Sequence, residues 1–182
     1  MPDRVIMVPG YSVRLSRRAD VGVLPSIERA SMQRFVDYET ELGFRADVPP
    51  APNSPDTLLA AHADGRLWVA IDPTEQPVGF ALVLELGLFA HLEELVVLPA
   101  HGGQGLGGAL LEAVCGWADS RGFSAATVAA YRDVPWNAPF CARRRFEAIA
   151  AEDLPPELVQ VLDRERALGL RTDRRVVMQR EL

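Results

Sequence analysis

The sequence predicts a mixed α/β domain. Three observations carry that prediction: two apolar strands at 67–71 and 78–86 joined by the turn DPTEQP, a glycine-dense link between a strand and a helix at 101–108, and the lack of any regular strand–helix alternation. At 182 residues the chain fits one globular domain spanning 1–182. A chain of that size buries roughly 70% of its unfolded surface, enough for a substantial core.

The elements follow in order. Val13 and Leu15 alternate with Arg14 and Ser16, which reads as a first strand, and from Pro25 to about Tyr38 the residues Ile27, Ala30, Arg34 and Tyr38 recur with helical spacing. RADVPPAPN at 45–53 is a proline-rich loop. Ser54 before Pro55 and Asp56 is an N-cap with proline at the first helical position, so a second helix is expected from Pro55 to about Ala63, ended by Asp64-Gly65. LWVAI and VGFALVLEL form an antiparallel hairpin whose second strand, apolar on both faces, is expected to be central. A third strand covers about Leu88 to Leu98. After the glycines comes a helix to Ser120 with the stripe Leu106, Leu110, Val114 and Trp117. SAATVAAY is a strand, WNAPFCARR a short helix or turn, and FEAIA a strand; 155–168 is an amphipathic helix between Pro155-Pro156 and Gly169, and RVVMQ closes the chain's sheet. No internal repeat or low-complexity tract interrupts this order.

Composition narrows the chemistry. The formal net charge of −6 argues against a nucleic-acid surface, and no apolar run approaches the ~20 residues that span a bilayer. The opening MPDRVIMVPG does not read as a signal peptide, and two cysteines at unrelated positions build no disulfide framework, so a cytoplasmic location is expected. All nineteen basic residues are arginine. Without lysine there is no Schiff-base chemistry, no pyridoxal phosphate attachment and no GxxxxGK[ST] phosphate loop.

HGGQGLGG, residues 101–108, then demands an explanation. Glycines between a strand and a helix let backbone N–H groups approach an anion. Gly103, Gly105 and Gly108 formally satisfy the dinucleotide pattern GxGxxG, but the acid that would bind ribose, Asp133, lies about thirty residues downstream instead of ~20, and too little chain follows to complete a doubly wound sheet. The flanking residues fit another pattern. LEELVVLPAHGGQGLGGALL resembles the coenzyme-binding motif of the GNAT superfamily of N-acetyltransferases: a strand ending V-x-P, then R-x-x-G-x-G and a helix opened by aliphatic residues. Val97 and Pro99, Gly105 and Gly107, and Leu106, Leu110 and Leu111 match; Gly102 stands at the arginine position. VPWNAPFCARRRFEAI resembles a VPWNAPFY…GF signature of some bacterial members, and the order of elements agrees with the superfamily from about residue 11 onward.

The resemblance implies a central, mostly antiparallel sheet flanked by helices, acetyl-CoA as co-substrate with no metal, and transfer of the acetyl group to a small-molecule or peptide amine by direct attack. It leaves room for a homodimer and gives no role to nucleic acid or membrane. The N–H groups of Gly102, Gly103, Gln104, Gly105, Leu106, Gly107 and Gly108 would hold the pyrophosphate. The backbone of Leu95, Val96 and Val97 would pair with the pantetheine arm like an added strand and polarise the thioester carbonyl. The general base often projects four or six positions before the V-x-P valine, which gives Glu93 and His91; both share the strand parity of Leu95 and Val97 provided no bulge intervenes, and Glu94, facing the other way, is held in reserve.

The family's usual proton donor to the departing thiolate is a tyrosine, and its position here is Cys141. That thiol is a proton donor, a nucleophile that takes the acetyl group, or a buried inert side chain. Asn137 matches an asparagine that bonds the pantetheine arm, or serves as a helix cap. Arg145 replaces the glycine of GF, a strained choice if that residue is a left-handed cap. The acceptor site would be walled by the stretch 45–56 and the helix 155–168. An alternative from a different class is an acyl-CoA-binding module or sensor with weak catalysis.

Overall fold

The structure, a computed structural model, describes residues 5–44 and 50–182. In chain order the elements are β1 (Ile6–Val8), β2 (Tyr11–Leu15), α1 (Leu24–Ser31), α2 (Glu39–Leu42), α3 (Pro55–Ala63), β3 (Leu67–Ile71), β4 (Pro77–Leu86), β5 (Phe89–Val97), α4 (Leu106–Ser120), β6 (Ala125–Tyr131), α5 (Ala138–Ala142), β7 (Glu147–Ala148), α6 (Pro156–Ala167) and β8 (Arg175–Glu181). Among the described residues the strands form one sheet in the order β1-β2-β3-β4-β5-β6-β8-β7. Its pairs are antiparallel except β5 with β6.

Local chemistry explains most boundaries. Ser54 caps α3 as its sequence requires, its Oγ accepting from the Thr57 N–H at 3.1 Å; such a cap is worth about 1 kcal/mol. The segment after Pro25 is less regular than its spacing suggests. It is α-helical only to Ser31, continues as a 3-10 turn to Tyr38, and closes with α2 against Gly43 at φ 90°. The aromatic residues Phe35 and Tyr38 pack edge-on against Trp136 instead of keeping one helical stripe. β1 was not legible as a strand, and FEAIA contributes only two residues of ladder. The first five residues of the 45–53 loop lie outside those described.

The sheet divides the core in two. On one face α4 buries Leu106, Leu110, Leu111 and Val114 against Trp68, Ala81, Val83, Ala90 and Leu92. On the other, α1 and α3 cover Leu67, Val69, Phe80 and Leu82, and α6 covers Ala129 and Val177. A fully buried leucine contributes about 1.5–3 kcal/mol, so α4, with three leucines at or near zero exposure, is the main anchor of its face. None of the described helices is long and apolar enough to cross a membrane.

Candidate active site

β5 and β6 separate part-way along their length, and the cause is a bulge. Their parallel ladder runs only from Phe89–Ala125 to Leu92–Val128. On the opposite edge of β5, Leu92 pairs with Val83 and Glu94 with Leu82, so Glu93 is an extra residue without a partner in β4. A bulge bends its strand, and beyond Glu93 the edge of β5 that faces β6 has no strand against it among the described residues.

The bulge also reverses the side-chain alternation. Before it, Phe89 packs on the α6 side while Ala90 and Leu92 join the α4 core; after it, Leu95 and Val97 pack with the α4 core and Val96 with α1 and α3. The parity expected to unite His91 and Glu93 with Leu95 and Val97 therefore fails. Glu94, expected to face away, pairs with Leu82 and points to the α1 side, where the carboxylate of Glu28 lies.

A cavity of about 420 Å³ opens where the strands part. It passes through the sheet. From one side it is lined by Glu28 and Arg29 of α1, Asn53, Glu93, Glu94 and Arg164 of α6; from the other by Leu92, Leu95, Val128, Phe140 and Cys141. Phe140 links this end to the glycine loop, for a Cβ on Gly107 would lie 3.5 Å from its ring. The loop is shaped for an anion. Gly105, at φ 83°, begins α4, no side chain caps that helix, and a Cβ at Gly103 or Gly105 would meet nothing within 4 Å. Its entry is tethered to β2 by a 3.1 Å hydrogen bond between the Tyr11 hydroxyl and His101 Nδ1.

A splayed parallel pair with a glycine loop at the head of the next helix is a distinctive combination, and comparison with known proteins identifies its source. The sequence model described as the acetyltransferase (GNAT) family matches residues 32–143, more than half of the chain. The chain belongs to the GNAT acetyltransferase family. Solved structures share the fold. PaiA N-acetyltransferase from Thermoplasma acidophilum, in complex with coenzyme A, superposes with a TM-score of 0.67 at 11% identity, over 94% of this chain and 99% of that one. N-acetylglutamate synthase from Neisseria gonorrhoeae, solved with coenzyme A and N-acetyl-glutamate, gives 0.67 at 17% identity over 94% of this chain and 35% of that one. The ribosomal-protein-S18-alanine N-acetyltransferase of Escherichia coli gives 0.56 at 15% identity, over 94% and 93%. GNAT enzymes use acetyl-CoA as co-substrate, and the open glycine loop and uncapped α4 suit its phosphates.

Against the GNAT pattern, each expected residue has a definite place. His91 is 1% exposed, is not part of the cavity wall, and shares a 2.9 Å hydrogen bond through Nδ1 with Thr127 Oγ1. Burial, with the positive charges of Arg164 and Arg175, pushes its pKa down to about 3. Glu93 reaches the cavity but is engaged by Arg164, whose Nη2 lies 2.8 Å and 3.0 Å from its two oxygens. Behind that pair stands a second, buried one between Glu165 and Arg175 at 2.8 Å, and Arg175 also donates to the Ala129 carbonyl on the freed part of β6.

Among the described residues no arginine is bonded to Glu94, although the charge of Arg175 acts on it. Its Oε1 accepts from the N–H of Leu95 at 3.3 Å, a group expected to serve the coenzyme. Burial raises its pKa to about 8, with repulsion from Glu28 and Glu93 adding to the effect. Glu28, raised chiefly by burial, accepts from the backbone N–H of Asn53 at 3.0 Å and from its amide at 3.1 Å. Nothing in the sequence singled out Glu28. It lies on a helix whose contact with β5 depends on the chain's tertiary path.

The second face carries the departures from the family. Cys141 is 4% exposed, and burial pushes its thiol up to about 11. Asn137 stands at the α5 N-cap position without capping it; its Oδ1 instead accepts from the Tyr131 N–H at 2.6 Å and ties α5 to the end of β6. Arg145 has φ 65°, the left-handed conformation that favours glycine. The helix end is a Schellman motif, with Phe146 N–H donating to Cys141 O at 3.2 Å and Arg145 N–H to Ala142 O at 3.1 Å.

Proposed function

We propose that this GNAT protein transfers an acetyl group from acetyl-CoA to the primary amine of a small molecule or peptide by direct attack in a ternary complex. The observation that carries the reading is the cavity through the sheet, with the carboxylate of Glu94 on its α1 side and, on the other, Phe140, whose ring lies beside Gly107 of the glycine loop. Coenzyme and acceptor can then approach from opposite faces and meet where β5 and β6 part.

Glu94 acts as the general base. An attacking amine must be neutral, and a carboxylate with a pKa of about 8 takes a proton from a peptide's N-terminal α-ammonium, of pKa about 7.7–8.0, with little free-energy difference. A side-chain alkylammonium near 10.4 is a poorer match. The amine nitrogen forms the new bond to the thioester carbonyl carbon, the C–S bond breaks, and the proton lost by the amine balances the one gained by the thiolate. A backbone N–H of β5 beyond the bulge would receive the developing oxyanion, that of Leu95 first giving up its bond to Glu94.

A thiol raised to about 11 is almost wholly protonated near neutrality, which weighs against Cys141 as nucleophile and makes it a weak acid. We therefore assign it to the cavity wall. The neighbours' acceptors, a protein alanine in one case and the amino acid represented by N-acetyl-glutamate in another, support acceptors of either size. Mass spectrometry of a panel of α-amino acids, short peptides and alkylamines incubated with acetyl-CoA tests the proposal. It predicts acetylated products concentrated among peptides with a free α-amino terminus. Coenzyme binding with no acetylated product for any amine would instead support a binding module or sensor.

A further inference from the structure

The glycine at position 102 removes the side-chain cation that the GNAT loop pattern carries, yet a guanidinium reaches the cradle from elsewhere. Arg144, just beyond α5, lies across the first turn of α4: a Cβ on Gly108 would fall 2.8 Å from its Nη2, 3.1 Å from its Nε and 3.3 Å from its Cζ. Gly108 is the residue that leaves room for it. The guanidinium is held in place by the Phe140 ring, 3.8 Å from its centroid, and by an Nη1 hydrogen bond to the Phe140 carbonyl at 3.2 Å.

This placement calls for a counter-charge. The N-terminal end of a helix carries partial positive charge and repels a cation. Among the described residues Arg144 makes no direct ion pair; Glu112, which it attracts at longer range, is bonded by Arg180 at 2.7 Å. Arg143 and Arg145 add further positive charge on either side. An anion bound between the loop's N–H groups and the guanidinium resolves the conflict. We propose that Arg144 binds the coenzyme's pyrophosphate, supplying from α5 the charge that Gly102 cannot. The proposal rests on the acetyl-CoA reading and adds to it a residue, a ligand group and a reason for Gly108.

Titration calorimetry of the wild type, Arg144→Gln, Arg144→Lys and Gly108→Ala with CoA, dephospho-CoA and pantetheine tests it. Loss of a charge-assisted hydrogen bond predicts that Arg144→Gln weakens CoA and dephospho-CoA alike by roughly ten- to hundred-fold, with pantetheine unchanged and Arg144→Lys retaining part of the affinity. Gly108→Ala should weaken the same two ligands by displacing the guanidinium, while the helix gains from alanine. CoA binding by Arg144→Gln equal to wild type overturns the assignment. So does an equal loss for pantetheine, which marks a structural role, or a loss confined to CoA, which moves the contact to the 3′-phosphate. Failure of the wild type to bind CoA at all overturns the coenzyme reading itself, a result distinct from all of these.

Discussion

Glu93 and Arg164 close one wall of the cavity, with Arg164 Nη2 2.8 Å and 3.0 Å from the two carboxylate oxygens. The pair joins the bulge in β5 to α6, so the carboxylate at an expected catalytic position is held as part of the wall. Both side chains retain solvent contact, at 25% and 45% exposure, and such pairs contribute at most about 1 kcal/mol. Arg164→Ala should therefore lower the melting temperature by no more than about 2–4 °C. A much larger fall in a thermal scan would show that the pair carries more of the fold than its exposure suggests.

Glu94→Gln separates proton transfer from coenzyme binding. The amide cannot take a proton, so turnover should fall by roughly 10²–10⁴-fold with the Kd for CoA unchanged. In the wild type the active, deprotonated form appears as pH rises, giving an ascending limb centred near 8. Equal turnover in the two proteins would remove Glu94 from the mechanism.

The same carboxyl gives a stability prediction. Its pKa rises from the ordinary 4.5 to about 8 in the fold, so the folded protein binds the proton more tightly than the unfolded chain. The contribution is present below about 4.5 and is lost as pH rises through about 8. Melting curves should accordingly show Glu94→Gln gaining on the wild type between pH 5 and 9. A constant difference across that range would mean that the group is not desolvated.

His91 predicts the opposite limb. Its pKa falls from 6.5 to about 3 on folding, so the unfolded chain protonates first and stability declines as pH drops from about 6.5 toward 3. Substitution by Gln should flatten the acid side of the melting-temperature profile. Nuclear magnetic resonance titration showing a charged imidazole in the folded protein at pH 5 would contradict this.

Arg145→Gly tests the helix cap. A non-glycine residue at φ 65° bears roughly 1–2 kcal/mol of strain, partly offset by the greater freedom that glycine gives the unfolded chain. Net stabilisation of about 1 kcal/mol, or about 2–4 °C, is expected in a thermal scan. No gain would show that the guanidinium supports the fold by contacts outweighing the strain.

Much of the fold was legible because it is written locally. Ser54-Pro55-Asp56 specifies a helix start, DPTEQP a hairpin turn, and Leu106, Leu110 and Val114 a buried stripe, all within a few residues. The strand–glycine–helix order around 101–108 was equally open to reading, since α4 does begin after Gly105. The carboxylates were not. An alternation count across 91–97 cannot reveal the extra residue at Glu93, which exists only in relation to β4, and a one-residue slip exchanges faces. Glu28 and Arg164 come from distant elements, and Arg144 reaches the loop only because α5 packs beside α4. Such juxtapositions are tertiary, and no local pattern announces them.

The most direct test of the account is the rate of free thiol release from acetyl-CoA in the presence of an α-amine acceptor, measured from pH 6 to 9 for the wild type and Glu94→Gln. The account predicts amine-dependent release by the wild type that rises through a pKa near 8, and a rate in the variant that is both low and without that limb. Release that no amine accelerates, or identical pH profiles for the two proteins, would contradict it.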